Sequence, residues 1–131
     1  RELMRFLLHL EQGKVVDDFS SREIKRLLYI TQRRIRYASS PALYNAALYF
    51  KSGSYYRCKS EVGFGCGKYR GNALNLLNSV AIVESPAGKP DGLFYMVVMT
   101  SNVLKENASL LHQDFGTRLH RLIEQRHAAG P

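Results

Sequence analysis

Acidic side chains, cysteines and long apolar runs are all scarce in this chain of 131 residues. It has 11 Asp and Glu against 19 Lys and Arg, which gives a net charge of +8. This excess favours acidic partners such as nucleic acid, anionic lipid or an anionic cell-wall polymer. No apolar run approaches the ~18–20 residues that a membrane-spanning helix needs. The hydrophobic fraction of 45% is ordinary for a globular chain, so we expect one domain or a large piece of one.

Only two cysteines are present, and Cys58 and Cys66 flank a short loop. In an exported protein they would most simply pair, and closing so short a loop would stabilise the fold by roughly 2–3 kcal/mol. In a reducing compartment they would be two free thiols. Of these two states, we expect the disulfide. A metal site is not favoured, because zinc needs three or four ligands at suitable spacing and the histidines fall mainly on predicted helices far away in sequence. The histidines are His9, His112, His120 and His127.

The chain opens inside a predicted helix. Leu3, Phe6, Leu7 and Leu10 follow the i, i+3, i+4, i+7 spacing of one helical stripe. No export signal is recognisable, but we expect the natural start to lie upstream of Arg1. The missing signal therefore says nothing about where the protein is located.

A second helix is predicted from about Ser20 to Arg36. Ser20 or Ser21 can cap this helix, and Ser20 and Glu23 have the spacing of a capping box, in which each side chain bonds the other residue's backbone N–H. Its buried face would be formed by Ile24, Leu28, Thr31 and Ile35. The basic residues mostly fall opposite and are predicted to form a solvated face. They are Arg22, Lys25, Arg26, Arg33, Arg34 and Arg36.

The second half of the chain predicts strands. Residues 46–57 are dense in Tyr, Phe and Leu, residues 78–84 read as a buried strand, and residues 93–100 form a continuous apolar strand. A glycine-rich loop spans residues 59–72, and a turn rich in Pro and Gly spans residues 86–92. Since side chains alternate along a strand, both faces of residues 93–100 need cover, one of them from the last helix.

Asn107 can cap that last helix. Its predicted apolar stripe consists of Leu111, Phe115, Leu119 and Leu122. The predicted fold class is therefore α+β, with an antiparallel sheet of at least three strands flanked by helices. The helices fall within residues 1–36, the strands within 46–101 and the C-terminal helix at 107–127.

The motif Lys51-Ser52-Gly53-Ser54 ends the apolar run at residues 46–50. Lys-Ser/Thr-Gly on a strand is one of three short motifs that mark serine β-lactamases and penicillin-binding proteins. The order of elements is also similar to the C-terminal half of that domain: two helices, the motif strand, two further antiparallel strands and a final helix. The resemblance covers nearly all of residues 1–131.

This resemblance implies a role for each motif residue. Lys51 would be catalytic, attracting the substrate carboxylate and polarising a neighbouring hydroxyl, while the Ser52 hydroxyl would bond the same carboxylate. Gly53 would leave room for a substrate lying against the strand. The backbone N–H of Ser54 would donate to the developing oxyanion.

The nucleophile motif of the family is missing, because no serine here is followed by lysine three positions on. The resemblance therefore implies part of a serine hydrolase that acts on a β-lactam or a D-Ala-D-Ala peptide without a cofactor. Its location would be the periplasm or the exterior of a bacterium. Its partner would be the missing N-terminal part of the same protein or a second copy. β-Lactamase, carboxypeptidase, transpeptidase and esterase all remain open.

Two alternatives stay beside this hypothesis. One is a relative that binds cell-wall peptide without turning it over. The other, less favoured, is a nucleic-acid-binding module, because aromatic and basic residues interleave around the glycine loop although no nucleic-acid motif accompanies them. These residues are Tyr55, Tyr56, Arg57, Lys59, Lys68, Tyr69 and Arg70. On the next strand, Asn78 and Ser79 should point to opposite faces, and we expect little involvement of either.

Overall fold

A three-stranded antiparallel sheet lies between two helical layers. In the computed structural model, which describes residues 1–130, the strands are β1 (Ala47–Arg57), β2 (Leu74–Ser85) and β3 (Leu93–Asn102), ordered β1-β2-β3. The predicted α+β class with an antiparallel sheet is confirmed. The strand that carries Lys51 forms one edge of the sheet and β3 forms the other.

Two helices, α1 (Glu2–Glu11) and α2 (Asp18–Tyr29), cover one face of the sheet. Leu7 and Leu10 of α1 are buried against Ile82 of β2. The other two members of the predicted α1 stripe, Leu3 and Phe6, are 45% and 40% exposed. Only half of that stripe therefore reaches the core.

Helix α2 begins at a cap other than the predicted one. The Asp17 side chain accepts a hydrogen bond from the Ser20 N–H at 2.6 Å. Aspartate is at least as good an N-cap as serine, and it stands three residues earlier. Glu23 pairs with Arg26 at 2.9 Å instead of reaching back to Ser20. The predicted Ser20–Glu23 capping box is therefore wrong.

The prediction that the second helix continues to Arg36 is also wrong, since α2 ends at Tyr29. The Thr31 hydroxyl donates to the Phe50 carbonyl oxygen at 3.2 Å, which ties the segment after α2 to β1. Ile35 packs against the core on the other side of the sheet. Arg36 has a φ of 57° in the left-handed region, which a continuous α-helix cannot contain.

Two of the six basic residues do not lie on a solvated face. Arg36 is buried. Lys25 is half-buried and pairs with Glu11 at 2.7 Å and with Glu84 at 3.3 Å. Burial disfavours the charge of Lys25, but the hydrogen bond and charge of Glu11 outweigh it, so the pKa of Lys25 is raised.

Two short 3-10 helices, Arg36–Ser39 and Pro41–Leu43, and helix α3 (Ser109–Ala128) cover the second face. The α3 helix starts just after Asn107, whose side-chain oxygen accepts from the Ser109 N–H at 3.1 Å. The main hydrophobic core lies on this face, and its buried members include Tyr37, Leu43, Leu48, Phe50, Ala81, Val83 and Val97.

The buried face of α3 differs from the predicted stripe. His112, Gly116 and His120 are buried, and Leu119 packs against the core. The three other members of the stripe are at least half exposed: Leu111, Phe115 and Leu122. The prediction is wrong for these three.

Specific partners on the sheet explain the buried polar face of α3. The His112 Nε2 lies 2.7 Å from the Ser101 Oγ, and the His120 Nδ1 lies 2.9 Å from the Tyr95 hydroxyl. Buried polar groups are tolerated when they are hydrogen-bonded in this way. Gly116 lets the Tyr37 ring approach the helix closely.

Candidate functional site

The four motif residues lie on the open part of the edge strand β1. The first half of β1 is mostly buried, and the strand emerges into solvent from Lys51 onward. A cavity of about 490 Å³ runs along this stretch. It is lined by Thr31, Arg33, Ile35, Lys51, Ser52, Gly53, Ser54 and Tyr69.

Neighbouring motif side chains lie on opposite faces of β1, because side chains alternate along a strand. Tyr49 packs with the α1 and α2 layer, and Phe50 packs with the main core. Lys51 therefore lies on the helix α2 face, and Ser52 and Ser54 lie on the other. All three nevertheless line the cavity, which extends around the strand edge.

Lys51 is a solvent-exposed cation at this cavity. Its Nζ donates to the Ser52 carbonyl oxygen at 2.6 Å. Within residues 1–130, no acidic side chain forms an ion pair with Lys51. The charge is therefore directed at solvent and at whatever enters the cavity, where it favours anionic groups.

Arg36 holds the motif strand from beneath and is only 2% exposed. Its Nη1 donates to the carbonyl oxygens of Gly53, at 2.7 Å, and of Asn78, at 2.9 Å. Its Nη2 donates to the Ser54 Oγ. Hydrogen bonds from a charged donor contribute about 1.5–3 kcal/mol each. The arginine thus fixes β1 against β2 at the motif.

Sequence reasoning missed Arg36, since the helical spacing of its basic neighbours predicted a solvated position. No local signal in the sequence distinguishes it from Arg33 or Arg34. Burial lowers the pKa of Arg36, and the interaction with the nearby Tyr69 side chain opposes this effect. The Arg36 guanidinium carbon lies 5.8 Å from the Tyr69 ring centre.

Strand β2, next to the motif strand, contributes a backbone carbonyl group to the site rather than a side chain. Ser79 lies opposite Ser52 in the register, but it is buried and does not line the cavity. Within the part of the chain that the structure describes, its Oγ has no hydrogen-bond partner. Asn78 contributes the carbonyl oxygen that Arg36 binds.

A disulfide closes the glycine-rich loop beside the cavity. Cys58 and Cys66 are bonded, with 6.0 Å between their Cα atoms, so the predicted pairing is confirmed. Asn72 clamps the base of the loop through both backbone groups of Lys59, at 2.7 Å and 2.9 Å. Tyr69, from the same loop, forms one wall of the cavity.

A serine–histidine hydrogen bond occurs away from the motif, between Ser101 and His112 at a second cavity of about 420 Å³. Burial lowers the pKa of His112, and the charge of Arg36 lowers it further, so the imidazole is held neutral. Its Nδ1 has no hydrogen-bond partner among residues 1–130, and so no carboxylate orients the ring. This pair belongs to the packing of α3 on the sheet.

Comparison of the chain with models of protein families, with curated proteins and with solved structures found no match. In the described residues 1–130, no helix is both long and apolar enough to cross a bilayer. The same residues contain no cluster of three or more His, Cys, Asp or Glu side chains that could hold a metal ion.

Proposed function

We propose that this chain is part of a serine β-lactamase-like hydrolase that performs acyl transfer on a β-lactam or a D-Ala-D-Ala peptide. It supplies the strand from Lys51 to Ser54 and an oxyanion donor, and the nucleophile comes from a Ser-x-x-Lys region outside residues 1–131. The observation that carries this proposal is the cavity along the open edge of β1, which all four motif residues line.

The surroundings of the motif support a substrate lying against β1. Lys51 presents an unpaired positive charge at the cavity that Ser52 also lines, and a cation together with a hydroxyl donor suits a carboxylate. A Cβ added at Gly53 would meet no atom within 4 Å. The chain itself therefore does not require glycine at this position, whereas a substrate in contact with the strand would.

The oxyanion donor in this proposal is the backbone N–H of Ser54. Its side chain is held by the buried Arg36, and the carbonyl of Gly53 before it is held by the same guanidinium. A rigidly held N–H is what an oxyanion donor needs, because it does not have to reorganise as charge develops.

We also propose that the protein is bacterial and works in the periplasm or outside the cell. The Cys58–Cys66 disulfide supports an oxidising compartment. Thiol alkylation of unreduced protein from fractionated cells, followed by mass measurement, should find no alkylated cysteine. Two alkylated thiols in periplasmic material would contradict both the bond and the compartment.

Acylation by a labelled penicillin tests the proposed reaction. The 131-residue chain alone should not hydrolyse nitrocefin, and the protein that includes the nucleophile region should be acylated. There, Lys51→Ala should slow acylation by about 10²-fold without changing the unfolding midpoint. Gly53→Ala should also slow acylation. The matched control is Gly65→Ala, because a Cβ added at Gly65 likewise meets no atom within 4 Å.

A normal acylation rate in the Lys51→Ala protein would remove Lys51 from the site. Binding of cell-wall peptide without any acylation, in protein that includes the nucleophile region, would favour the non-catalytic binder instead. If the isolated chain hydrolysed nitrocefin, and a substitution within it abolished that activity, the proposal that the nucleophile lies outside residues 1–131 would be contradicted.

A further inference from the structure

The positive charge of this protein is concentrated in one stretch of the chain. Residues 31–72 contain eight Lys and Arg and a single acidic residue, Glu61, so they carry a net +7 of the chain's +8. The other 89 residues are almost neutral. This stretch includes the segment after α2, the motif strand and the disulfide loop, which together surround the candidate site.

All the Lys and Arg ion pairs among the described residues involve cations outside this stretch. Six Lys and Arg outside the stretch pair with acidic side chains: Arg5, Arg22, Lys25, Arg26, Lys105 and Arg118. Within the described residues, no Lys or Arg of residues 31–72 has such a partner. Even Glu61 is bound by a cation from outside the stretch, Lys105, which follows β3.

Five exposed cations lie on the segments that contribute to the cavity wall, namely the segment after α2, the strand β1 and the glycine-rich loop, and we call them the cationic surface: Arg33, Lys51, Arg57, Lys59 and Lys68. Arg33 and Lys51 line the cavity together with Tyr69. Lys68 lies 5.1 Å from the centre of the Tyr69 ring. The surface therefore continues from the cavity onto the disulfide loop.

We propose that the cationic surface binds a linear polyanion with repeated phosphate or carboxylate groups, such as a cell-envelope polymer, and so brings a substrate attached to that polymer to the cavity. The delivery of a substrate to the cavity rests on the proposed function, whereas the binding of the polyanion does not. Several unpaired cations on one surface attract a polyanion through release of its counterions, with no need for sequence-specific contacts.

The aromatic residues of the loop favour such a polymer over nucleic acid. Single strands bind by stacking bases on free aromatic faces. Here the Tyr69 ring is approached by Lys68 and by Arg36, and the Tyr56 ring packs against it at 5.9 Å. The Phe64 ring is likewise approached by two cations of this chain. The Tyr69 and Phe64 rings therefore serve the loop's own packing, whereas Tyr55 and Tyr56 of β1 are exposed.

Binding to the 131-residue chain tests the proposal without any requirement for catalysis. The probes are fluorescein-labelled polyphosphate, polyglutamate and oligodeoxythymidylate of matched length, titrated over a range of salt concentrations. Polyphosphate and polyglutamate should bind with affinities that fall as salt rises, with a slope equivalent to about three to five ions. Oligodeoxythymidylate should bind no more tightly than they do.

Charge-matched variants locate the binding surface. Lys59→Glu with Lys68→Glu should weaken polyphosphate binding about tenfold or more, whereas Lys89→Glu with Arg121→Glu, on exposed positions elsewhere, should weaken it less than about threefold. Equal losses in the two variants, or no binding at low salt, would overturn the proposal. A tenfold preference for oligodeoxythymidylate that is lost on Tyr55→Ala would overturn it in favour of nucleic acid.

The two proposals can fail separately. In protein with the nucleophile region, Lys59→Glu with Lys68→Glu should leave nitrocefin hydrolysis unchanged and slow the turnover of polymer-bound peptide. Normal polyanion binding without acylation would sink the acyl-transfer proposal alone. Normal acylation without polyanion binding would contradict only the proposal that the cationic surface binds a polyanion.

Discussion

The Nη1 of Arg36 lies 2.7 Å from the carbonyl oxygen of Gly53 and so connects a buried side chain to the middle of the motif strand. The same nitrogen bonds Asn78, which is the register partner of Gly53 on β2. Arg36 adopts a left-handed backbone conformation, which costs about 1–3 kcal/mol for a residue other than glycine. The geometry of the candidate site therefore depends on a residue that is hidden beneath it.

Replacing this arginine should destabilise the whole fold. Arg36→Ala removes three hydrogen bonds and leaves a cavity, so we expect a loss of about 3 kcal/mol or more in the free energy of unfolding, measured by urea denaturation. Arg33→Ala, an exposed neighbour, should change that free energy by less than about 0.5 kcal/mol. Equal effects in the two variants would contradict the structural role of Arg36.

Gly116 should not tolerate even alanine, although alanine favours helices by about 1 kcal/mol. An added Cβ would lie 2.9 Å from the Tyr37 Cδ2 and 3.3 Å from the Tyr37 carbonyl oxygen. Overpacking of this kind costs about 1–3 kcal/mol, so Gly116→Ala should lower the thermal midpoint. Adding Tyr37→Leu should give a smaller total loss than the sum of the single changes. A raised midpoint in Gly116→Ala would show that the helix can shift away from Tyr37.

Stability should fall in mild acid because of two buried histidines. Burial lowers the pKa of His112, and the charge of Arg36 lowers it further. Burial also lowers the pKa of His120, although the charge of Glu124 opposes this. The unfolded chain then binds protons below about pH 6.5 that the folded chain does not, so the histidines' contribution to stability is present above that pH and is lost as pH falls.

The measurement is the urea midpoint between about pH 7.5 and pH 5.5, a range that spans the unfolded histidine pKa. The midpoint should be lower in acid. His120→Gln should reduce this difference, whereas His127→Gln, on an exposed position near the end of α3, should leave it unchanged. A midpoint that rises in acid would contradict the buried neutral state of these rings.

The outer edge of β3 should be covered by another strand. Within residues 1–130, β3 pairs only with β2, and an open apolar edge of this kind favours pairing with a further chain. Leu111 and Phe115 extend the apolar surface beside it. Sedimentation of the isolated chain should therefore show a dimer, a complex or aggregation. Phe115→Lys should weaken that association, and Leu110→Lys, which lies outside this surface, should not.

A stable monomer at high concentration, with rapidly exchanging amides along residues 93–100, would show that the edge is tolerated without a partner. If the association remains in Phe115→Lys but is lost in Leu110→Lys, the contact lies on a different face of α3.

The local sequence pattern was sufficient to predict the three strands, the glycine-rich loop and the Cys58–Cys66 bond. Apolar runs, strand-favouring residues and turn residues act over a few neighbouring positions, so the sequence alone predicts them. The position of Lys51 on an edge strand follows from the order of these elements. The motif residues could therefore be assigned to one strand before their surroundings were known.

Where helical periodicity gave a wrong prediction, tertiary contacts determined the structure instead. Helix α2 ends at Tyr29 because the following residues bond and pack onto the sheet, although the pattern of spacing continues to Ile35. In α3, the histidines are buried in place of Leu111, Phe115 and Leu122, because Ser101 and Tyr95 offer them hydrogen bonds. The spacing of residues within one helix cannot predict which distant residues will bond to it.

The sequence by itself determined the α+β class, the strand that carries the motif and the disulfide, because each depends on residues close together in the chain or on their order. Only the tertiary structure decided that Arg36 lies beneath that strand and that the unpaired cations Arg33 and Lys51 line the same cavity. The oxygens that Arg36 binds belong to residues 17, 18 and 42 positions away. The free energy that holds a charged side chain there comes from those bonds, which form only when the chain has folded.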